Sequence, residues 1–281
     1  MARHFLSLGA GVQSTTMALM ALHGEIEPLP EVAIFADTQS EPRAVYAHLK
    51  WLRGVLEPTL PVEVVSAGSL KDTQLRATLE TGTGFVSIPY FSKNPEAALN
   101  DIGIMRRQCT SEFKIKPLNR EVRRRLGVGV GQRAPKGAAT MWLGISTDEA
   151  VRAAPSRNKW AHNRFPLIEA GMSRQDCLRW MERHGYPRPP KSSCTFCPYH
   201  SDAVWREMKL TDPESWREAV DVDRALRGVR GRKNGTGKPI MRGEGFLHRS
   251  CVPLEEVDLR NAEDRGQLNL WLTDCQGICG V

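Results

Sequence analysis

Seven cysteines stand out among the residues that could do chemistry, and their number is odd. Cys194 and Cys197 form a CxxC pair followed by proline, and Cys109 lies well upstream. An odd count with clustered spacing favours metal binding or catalysis over a disulfide framework. Together with His200, the three cysteines would provide a Cys₃His set for a structural zinc ion. Thiolates also suit iron–sulfur clusters, so both metal types stay open at this point.

A glycine-rich turn follows the first predicted strand and leads into a predicted helix. Glycines allow a tight turn and close approach to phosphate oxygens, and a helix N-terminus offers free N–H groups and positive dipole charge. The turn matches neither a Walker A motif nor GxGxxG, and a plain strand-to-helix turn is the alternative. We predict a nucleotide-binding site that includes Ser7, Gly9, Ala10, Gly11, Gln13, Ser14 and Thr15.

Two other predicted strands end near this turn. Asp37 ends the second strand, and Gly144 lies at the end of the strand Thr140–Ile145. In an open α/β sheet, ligands bind beyond the carboxyl ends of the strands. Asp37 is therefore expected to contact a ribose hydroxyl, adenine or Mg²⁺, with capping of the next helix as the alternative. Gly144 is expected to join the same nucleotide site.

Strand and helix patterns alternate along residues 1–150, which predicts right-handed βαβ units. The expected fold class is α/β, with a Rossmann-like parallel sheet flanked by helices. We assign residues 1–200 to a nucleotide-binding domain that also carries the cysteine cluster. Residues 201–281 are assigned to a helical and loop extension with a cysteine tail. Residues 81–105 are punctuated by Gly, Pro and Asn and are interpreted as an active-site loop.

The composition is that of an ordinary globular protein. The 281 residues are 41% hydrophobic and 25% charged, which excludes disorder, collagen and coiled coil as descriptions of the whole chain. No apolar run reaches the roughly 18 residues of a membrane span. The N-terminal residues do not have the pattern of a signal peptide. We therefore expect a cytoplasmic protein with no membrane partner.

Positive charge is concentrated in two stretches of the chain. Lys and Arg number 39 against 32 Asp and Glu, giving a net charge of +7 and a pI of about 9.2. One stretch is 101–133, and the other is 224–242, which contains no acidic residue. Such clusters favour polyanions, either nucleotide phosphates or a nucleic-acid backbone. Solvated basic faces are the alternative interpretation.

Six segments of the chain together carry a family resemblance. They are Ser7–Ser14, Phe35–Thr38, Cys109–Leu118, Leu143–Arg152, Phe165–Ile168 and Cys194–Cys197. The first resembles the PP-loop, Ser-Gly-Gly-x-Asp-Ser, of ATP pyrophosphatases. The others are similar, in the same order, to motifs of the adenylyl-sulfate and phosphoadenylyl-sulfate reductase branch. The resemblance covers about residues 4–200 and implies an adenine nucleotide alpha hydrolase-like fold.

The chain departs from this family at several positions. Gly9 stands at the usual first Ser of the PP-loop, and Gln13 at its usual Asp. Ile145 and Ser146 stand where the reductases have an Arg. The catalytic Glu-Cys-Gly-Leu-His tail of the reductases is absent from the sequence, which argues against sulfate reduction.

The resemblance also implies a particular metal centre. Iron–sulfur reductases of this branch bind a [4Fe-4S] cluster through a Cys-Cys pair and a CxxC. Here Gln108 replaces the first cysteine of the pair, so the implied ligands are Cys109, Cys194 and Cys197. Three ligands leave one iron open, as in PP-loop enzymes that thiolate tRNA, and an open iron could carry a sulfide.

Two further groups of residues receive roles in this interpretation. Arg106, Arg107 and Lys114 flank the first cluster cysteine and are expected to bind phosphate of the acceptor. Cys275 and Cys279 lie close to the end of the sequence. They are expected to relay sulfur as persulfides or to complete the cluster, with ordinary thiols as the alternative.

The implied function is that of an ATP pyrophosphatase that uses Mg²⁺ and cleaves ATP between the α and β phosphates. Cleavage adenylylates an acceptor oxygen, which sulfur then replaces. The chain looks most like the ATP pyrophosphatase component of DNA phosphorothioation systems, with a cysteine desulfurase as sulfur donor. Thiolation of a tRNA base and sulfonucleotide reduction are the alternatives. A nucleotide- and zinc-dependent DNA-binding subunit without catalysis is another.

Overall fold

The computed structural model describes residues 2–79, 88–94, 102–228 and 243–260. The chain divides into two compact units, each made of two segments. The first unit comprises Met1–Gly68 and Phe113–Ser192, and the second comprises Ser69–Glu112 and Ser193–Val281. The predicted boundary at residue 200 falls within the later segment of the second unit.

The first unit is built on a five-stranded sheet in the order β3-β2-β1-β6-β7, and every pair of neighbours is parallel. Its strands are β1 (Arg3–Leu8), β2 (Val32–Asp37), β3 (Val62–Ser66), β6 (Ala139–Trp142) and β7 (Ala161–Arg164). The interior strand β2 reads VAIFAD and is buried along almost its whole length. Such apolar runs are typical of parallel strands covered on both faces. The predicted α/β class with a parallel sheet is confirmed.

Helices cover both faces of this sheet. They are α1 (Val12–Leu22), α2 (Arg43–Leu56), α4 (Lys116–Arg125), α5 (Pro166–Glu169) and α6 (Arg174–Arg183). Side chains of a strand alternate between faces, so Leu6 packs in the core formed with α1, α2 and α6. Phe5 lies on the opposite face, in a core with Val122 of α4. The sheet is thereby enclosed, and its carboxyl edge is formed by the loops that follow the strands.

The strand order reverses direction between β1 and β6. From β1 the chain proceeds outward through β2 and β3, and it later returns to the other side of β1 as β6. The loops after β1 and β6 therefore leave the sheet in different directions. A crevice at this switch point is the usual ligand-binding position of an open α/β sheet.

The second unit combines helices with a small antiparallel sheet in the order β5-β4-β8. Its elements are α3 (Leu70–Leu79), β4 (Phe91–Lys93), β5 (Ile102–Ile104), α7 (Asp202–Thr211), α8 (Pro213–Arg227) and β8 (Glu244–Phe246). The segment 81–105, interpreted as a loop, therefore contributes two strands, while residues 81–87 and 95–101 lie outside the described residues. The buried Asp223 accepts hydrogen bonds from the backbone N–H groups of Leu247 and Leu254, which joins α8 to the chain after β8.

None of the helices in the described ranges combines the length and apolar character needed to cross a bilayer.

A buried histidine joins the first two helices. His48 of α2 is 7% exposed, and its Nε2 lies 3.1 Å from the hydroxyl of Thr15 in α1. Burial penalises the imidazolium form and lowers the pKa of His48 to about 4 from its usual 6.5. Between these two pH values the unfolded chain is protonated at His48 and the folded chain is not. Stability must therefore fall as the pH is lowered through this window.

Replacing this histidine should flatten the pH dependence of stability. For His48→Gln, which can still hydrogen-bond to Thr15 but does not titrate, we expect a smaller loss of unfolding free energy between pH 6.5 and 4 than in the wild type. The difference should reach about 3 kcal/mol at most. Urea denaturation at pH 7, 5.5 and 4.5 measures it. The exposed His162 provides the control His162→Gln, which should follow the wild type. If the unfolding free energies of wild type and His48→Gln fell equally with pH, the low pKa assigned to His48 would be contradicted.

The loop after β6 touches the backbone at the start of α1. A Cβ on Gly144 would lie 2.9 Å from the amide nitrogen of Ser14 and 3.2 Å from the carbonyl carbon of Gln13. Contacts this short with backbone atoms cannot be relieved by rotating a side chain. Glycine is therefore required at position 144 by the close approach of the two segments.

Substitution of this glycine should cost stability. Gly144→Ala must push the loop away from the N-terminus of α1, and we expect a loss of about 2 kcal/mol. Gly54→Ala is the matched control, because a Cβ there meets nothing within 4 Å and alanine favours the interior of α2. That control should gain roughly 0.5–1 kcal/mol. Thermal and urea denaturation of both variants measure the two effects, and a Gly144→Ala protein as stable as wild type would exclude the close approach.

Candidate functional site

The turn after β1 presents an uncapped helix N-terminus. Gly11 is the N-cap residue of α1, and no described side chain caps this end. Ala10 adopts a left-handed backbone conformation with φ of 52°, and the N–H of Gly9 donates to the hydroxyl of Ser14 at 3.0 Å. The turn is thus fixed by its own contacts. First-turn N–H groups without a capping side chain are available to an anion.

Ser192 covers this turn and has no counterpart in the sequence motifs. Its hydroxyl donates to the carbonyl oxygen of Gly9. A Cβ on Gly11 would lie 3.3 Å from the Cβ of Ser192, so a larger residue at position 11 would crowd the contact. Ser192 therefore helps to set the shape of the turn.

The predicted hydroxyl groups of the turn occupy different positions. Ser7 is half-buried within β1, and Ser14 is buried, with its hydroxyl bound to Gly9. Thr15 is fully buried, and its hydroxyl contacts His48. The side chain of Thr15 therefore anchors α1 to α2.

Gln13 lies at the centre of a polar network beside the turn. Its Nε2 donates to Ser146 Oγ at 3.4 Å and to Glu149 Oε2 at 3.3 Å. An Nη atom of Arg174 donates to Gln13 Oε1 at 3.2 Å. An amide can both donate and accept, so Gln13 links the carboxylate of Glu149 to the guanidinium of Arg174. An Asp at this position could only accept.

Arg174 is the principal site residue that sequence reasoning missed. Burial lowers the pKa of its guanidinium, and repulsion from Arg188 lowers it further. The charges of Glu149 and Asp148 partly offset these effects. A bound anion near Arg174 would offset the repulsion between Arg174 and Arg188. No motif marks this residue, because only the fold brings the start of α6 to Gln13.

Asp37 lies in a second polar network, where β2 ends. Its carboxylate accepts hydrogen bonds from the Tyr46 hydroxyl and the Gln39 N–H, each at 2.8 Å. Burial, together with the hydrogen bond to Asp37, raises the pKa of Tyr46 well above its usual range, so this hydroxyl stays a donor. Lys114 forms an ion pair with the buried Glu41 at 3.0 Å. The predicted phosphate ligand Lys114 is therefore also a structural partner of Glu41.

The cysteines predicted to bind metal all belong to the second unit. Cys109 directly precedes a π-helical turn, Thr110–Ile115. In the CxxC loop the N–H of Cys197 donates to the carbonyl oxygen of Cys194 at 3.0 Å. His200 Nε2 lies 2.9 Å from the same oxygen. The CxxC segment is therefore a compact turn held by backbone contacts.

An aromatic contact joins the two cysteine segments. The guanidinium carbon of Arg107 lies 5.7 Å from the centre of the Tyr199 ring, a cation–π geometry. Arg107 precedes Cys109 by two residues, and Tyr199 follows Cys197 by two. The structure thus brings together segments that are far apart in the sequence. Arg106 beside them is exposed.

The CxxC loop is also tied to the helical part of its unit. The hydroxyl of Thr195 donates to Glu218 of α8 at 2.8 Å, and Glu218 forms an ion pair with Lys71 of α3 at 3.7 Å. Phe196 is 1% exposed and fills the core behind the loop. Both residues between the two cysteines are therefore fixed, which orients the cysteines on either side of them.

The spacing of the sulfur atoms bears on the type of metal. Among the described residues, no three ligand atoms from Cys109, Cys194, Cys197 and His200 lie within 4.8 Å of one another. Two thiolates of a tetrahedral zinc ion, with Zn–S bonds of about 2.3 Å, lie only ~3.8 Å apart. A cubane cluster separates its thiolates more widely, because each binds a different iron. These four side chains are therefore not gathered around one point in this structure, and the cluster and the zinc ion both stay predictions.

The other cysteines differ in their surroundings. Cys177 and Cys251 are buried, and burial raises the pKa of both thiols, that of Cys177 to about 12. No disulfide bond forms among the five cysteines that the structure describes. Cys275 and Cys279 lie outside the described residues.

Part of the basic stretch 101–133 is neutralised within the first unit. Arg124 and Arg125 both bind the carboxylate of Glu121, at 2.7 and 2.6 Å. Arg123 donates to the backbone oxygen of Gln132 at 2.7 Å. Most of the second stretch, 229–242, lies outside the described residues. Among the residues that the structure describes, fewer basic side chains are therefore left to bind a polyanion than the net charge of the sequence indicates.

Comparison with known proteins gives distant structural likenesses. No protein-family model matches the chain, and no curated protein matches it. Among solved structures, it is similar to a phosphoadenylyl-sulfate reductase from Candida auris in a phosphate complex, with 13% identity and a TM-score of 0.42. That match covers 67% of this chain and 76% of the reductase. It is also similar to the U34-tRNA thiolase NcsA from Methanococcus maripaludis with its [4Fe-4S] cluster, with 14% identity and a TM-score of 0.36. This second match covers 82% of this chain and 74% of the thiolase.

Proposed function

We propose that the protein is a PP-loop ATP pyrophosphatase that activates a nucleic-acid oxygen for replacement by sulfur, with DNA phosphorothioation as the reaction. The observation that carries the proposal is the uncapped N-terminus of α1 at the switch point of the sheet, with Arg174 bound to Gln13 beside it. Helix N–H groups and a guanidinium in such a crevice suit a triphosphate.

Cleavage between the α and β phosphates produces pyrophosphate, whose charge grows in the transition state. The N–H groups of the turn that follow Gly9, up to Ser14, would stabilise that charge without reorganising, because the turn is already fixed by Ser192 and by the contact of Gly9 with Ser14. Arg174 would add positive charge next to Gln13. The acceptor oxygen takes the adenylyl group, which then leaves as AMP when sulfur attacks.

Asp37 is the proposed Mg²⁺ ligand. Its carboxylate binds Tyr46 and Gln39 through Oδ1, and each carboxylate oxygen offers more than one lone pair. Magnesium prefers oxygen ligands and keeps several waters when it binds nucleotide phosphates. When bound, it would neutralise charge on the triphosphate.

Cys109, Cys194 and Cys197 are the proposed ligands of a [4Fe-4S] cluster. Support comes from the Arg107–Tyr199 contact between their segments and from the three thiolates, which are the usual ligands of iron–sulfur clusters. When bound, a cluster with one open iron would supply a place for sulfide. Arg106 and Arg107 would bind acceptor phosphate nearby. A cysteine desulfurase would be the sulfur donor, with a dithiol reductant supplying the two electrons that convert its persulfide sulfur to sulfide.

Loss of one cluster ligand should abolish iron binding. For anaerobically purified wild-type protein we expect a broad absorption band near 400 nm and about four iron and four sulfide per chain. Cys194→Ser should lose most of both, because two cysteines cannot hold the cluster. The control Cys251→Ala removes a buried thiol without a proposed role and should keep its iron. Colourless wild-type protein whose bound zinc is lost in Cys194→Ser would refute the cluster and favour a binding subunit.

The nucleotide site is tested separately by release of pyrophosphate from ATP. We expect release that depends on DNA and on Mg²⁺, and a loss of about 100-fold in kcat for Arg174→Met. Arg183→Met, at the exposed end of the same helix, is the matched control and should keep wild-type activity. Gly11→Asp should prevent ATP binding, because it places a carboxylate in the turn and crowds Ser192.

The acceptor decides among the remaining functions. Pyrophosphate release with tRNA, but not with DNA, would replace phosphorothioation by tRNA thiolation. Turnover of adenylyl sulfate without nucleic acid would identify a sulfonucleotide reductase. Tight ATP binding with no pyrophosphate release under any condition would identify a non-catalytic subunit.

A further inference from the structure

The geometry points to a zinc-class metal site in the first unit, formed by His23, Glu25 and His184 and separate from the cysteines. Each of the three side chains offers one ligand atom, and these atoms all lie within 4.8 Å of one another. Two imidazoles and one carboxylate are the protein ligands of many three-residue zinc sites. All three side chains are accessible, so a metal ion can reach them from solvent.

Two helices end at this site. His23 is the C-cap residue of α1, and His184 is the C-cap residue of α6. Glu25 follows within the same turn as His23, and its N–H donates to the carbonyl oxygen of Met20 at 2.9 Å. The C-terminus of a helix carries partial negative charge. Two such ends and a carboxylate make this position favourable for a cation.

Contacts around the ligands hold them in place. His184 Nδ1 donates to the carbonyl oxygen of Trp180 at 2.8 Å, which leaves Nε2 with its lone pair directed away from the helix. This Nε2 lies 3.8 Å from Glu25 Oε1. The Tyr186 hydroxyl contacts Nε2 of His23 at 2.8 Å. Partners of this kind orient metal ligands and fix the histidine tautomer.

Trp180 connects all parts of the site. Its Nε1 donates to both carboxylate oxygens of Glu25, at 3.1 and 2.9 Å. Its ring stacks on His184 with the centroids 3.9 Å apart, and it meets the His23 ring edge-on at 5.5 Å. The three ligands are therefore positioned by one side chain before any metal arrives, which reduces the entropy lost on binding.

The donor set selects the class of metal. Nitrogen with one oxygen suits Zn²⁺ and its neighbours Ni²⁺ and Cu²⁺, whereas Mg²⁺ and Ca²⁺ prefer oxygen ligands alone. Zinc is the ion to which we assign the site, with water completing the coordination. The bound ion would join the ends of α1 and α6, and it takes no part in the sulfur chemistry proposed above.

Metal titration of the full chain tests this site. Because the cysteines also bind metals, Co²⁺ is the first probe: thiolate ligands give intense charge-transfer absorption in the near ultraviolet as well as visible bands, whereas histidine and carboxylate ligands give visible bands alone. We expect visible bands in the wild type that are lost in His184→Ala without any change in the near-ultraviolet absorption. The control His162→Ala removes another exposed histidine and should keep them. Cobalt absorption from thiolates alone would overturn the proposal.

Zinc affinity provides the second measurement, by competition with a chromophoric chelator. We expect His184→Ala and Glu25→Gln each to weaken zinc binding at this site at least tenfold, while His162→Ala leaves it unchanged. Glu25→Gln keeps a hydrogen-bond acceptor for Trp180, so it separates metal binding from folding. Zinc should also raise the Tm of wild type and control more than that of either variant. Equal affinity in wild type and both variants, or displacement of zinc by millimolar Mg²⁺, would refute the assignment.

Discussion

The contact between the backbone of α1 and the loop after β6 is the constraint on which the proposed nucleotide site depends. A single missing side chain, at Gly144, lets the loop reach the amide of Ser14. That approach places Ser146 and Glu149 within reach of Gln13, and through Gln13 it places Arg174 beside the helix N-terminus. A loop held even one ångström farther away would separate these polar groups from the turn.

Much of the first sheet could be predicted from the sequence, because β2 carries an apolar run typical of a parallel strand covered on both faces, and β1 and β3 are rich in strand-forming residues that end at turn signals. The strand β7 was not predicted. It lies at the sheet edge and reads AHNR, with little apolar character. The strands of the second unit were also missed, since each has only three residues and the pairing of β4 with β8 joins segments far apart in the chain. Local patterns contain little information about such pairings.

The candidate sites show the same difference between local and tertiary information. Glycines, cysteines and Asp37 could be selected from the sequence because their types and spacing suggest chemistry. Arg174 and Ser192 could not, since each acts on a residue more than a hundred positions earlier in the chain. The histidines at the ends of α1 and α6 were likewise not recognised as a pair, because only the packing of those two helices brings them together.

The division of the chain into interleaved segments has a consequence for synthesis on the ribosome. The first unit is complete only when residue 192 has been made, and by then the early part of the second unit, Ser69–Glu112, has already emerged without its partner. Cys109 is therefore synthesised well before Cys194 and Cys197. A fragment ending at residue 200 would contain the whole first unit but only the beginning of the segment that completes the second. A cluster held by all three cysteines could accordingly assemble only after residue 197 has been synthesised.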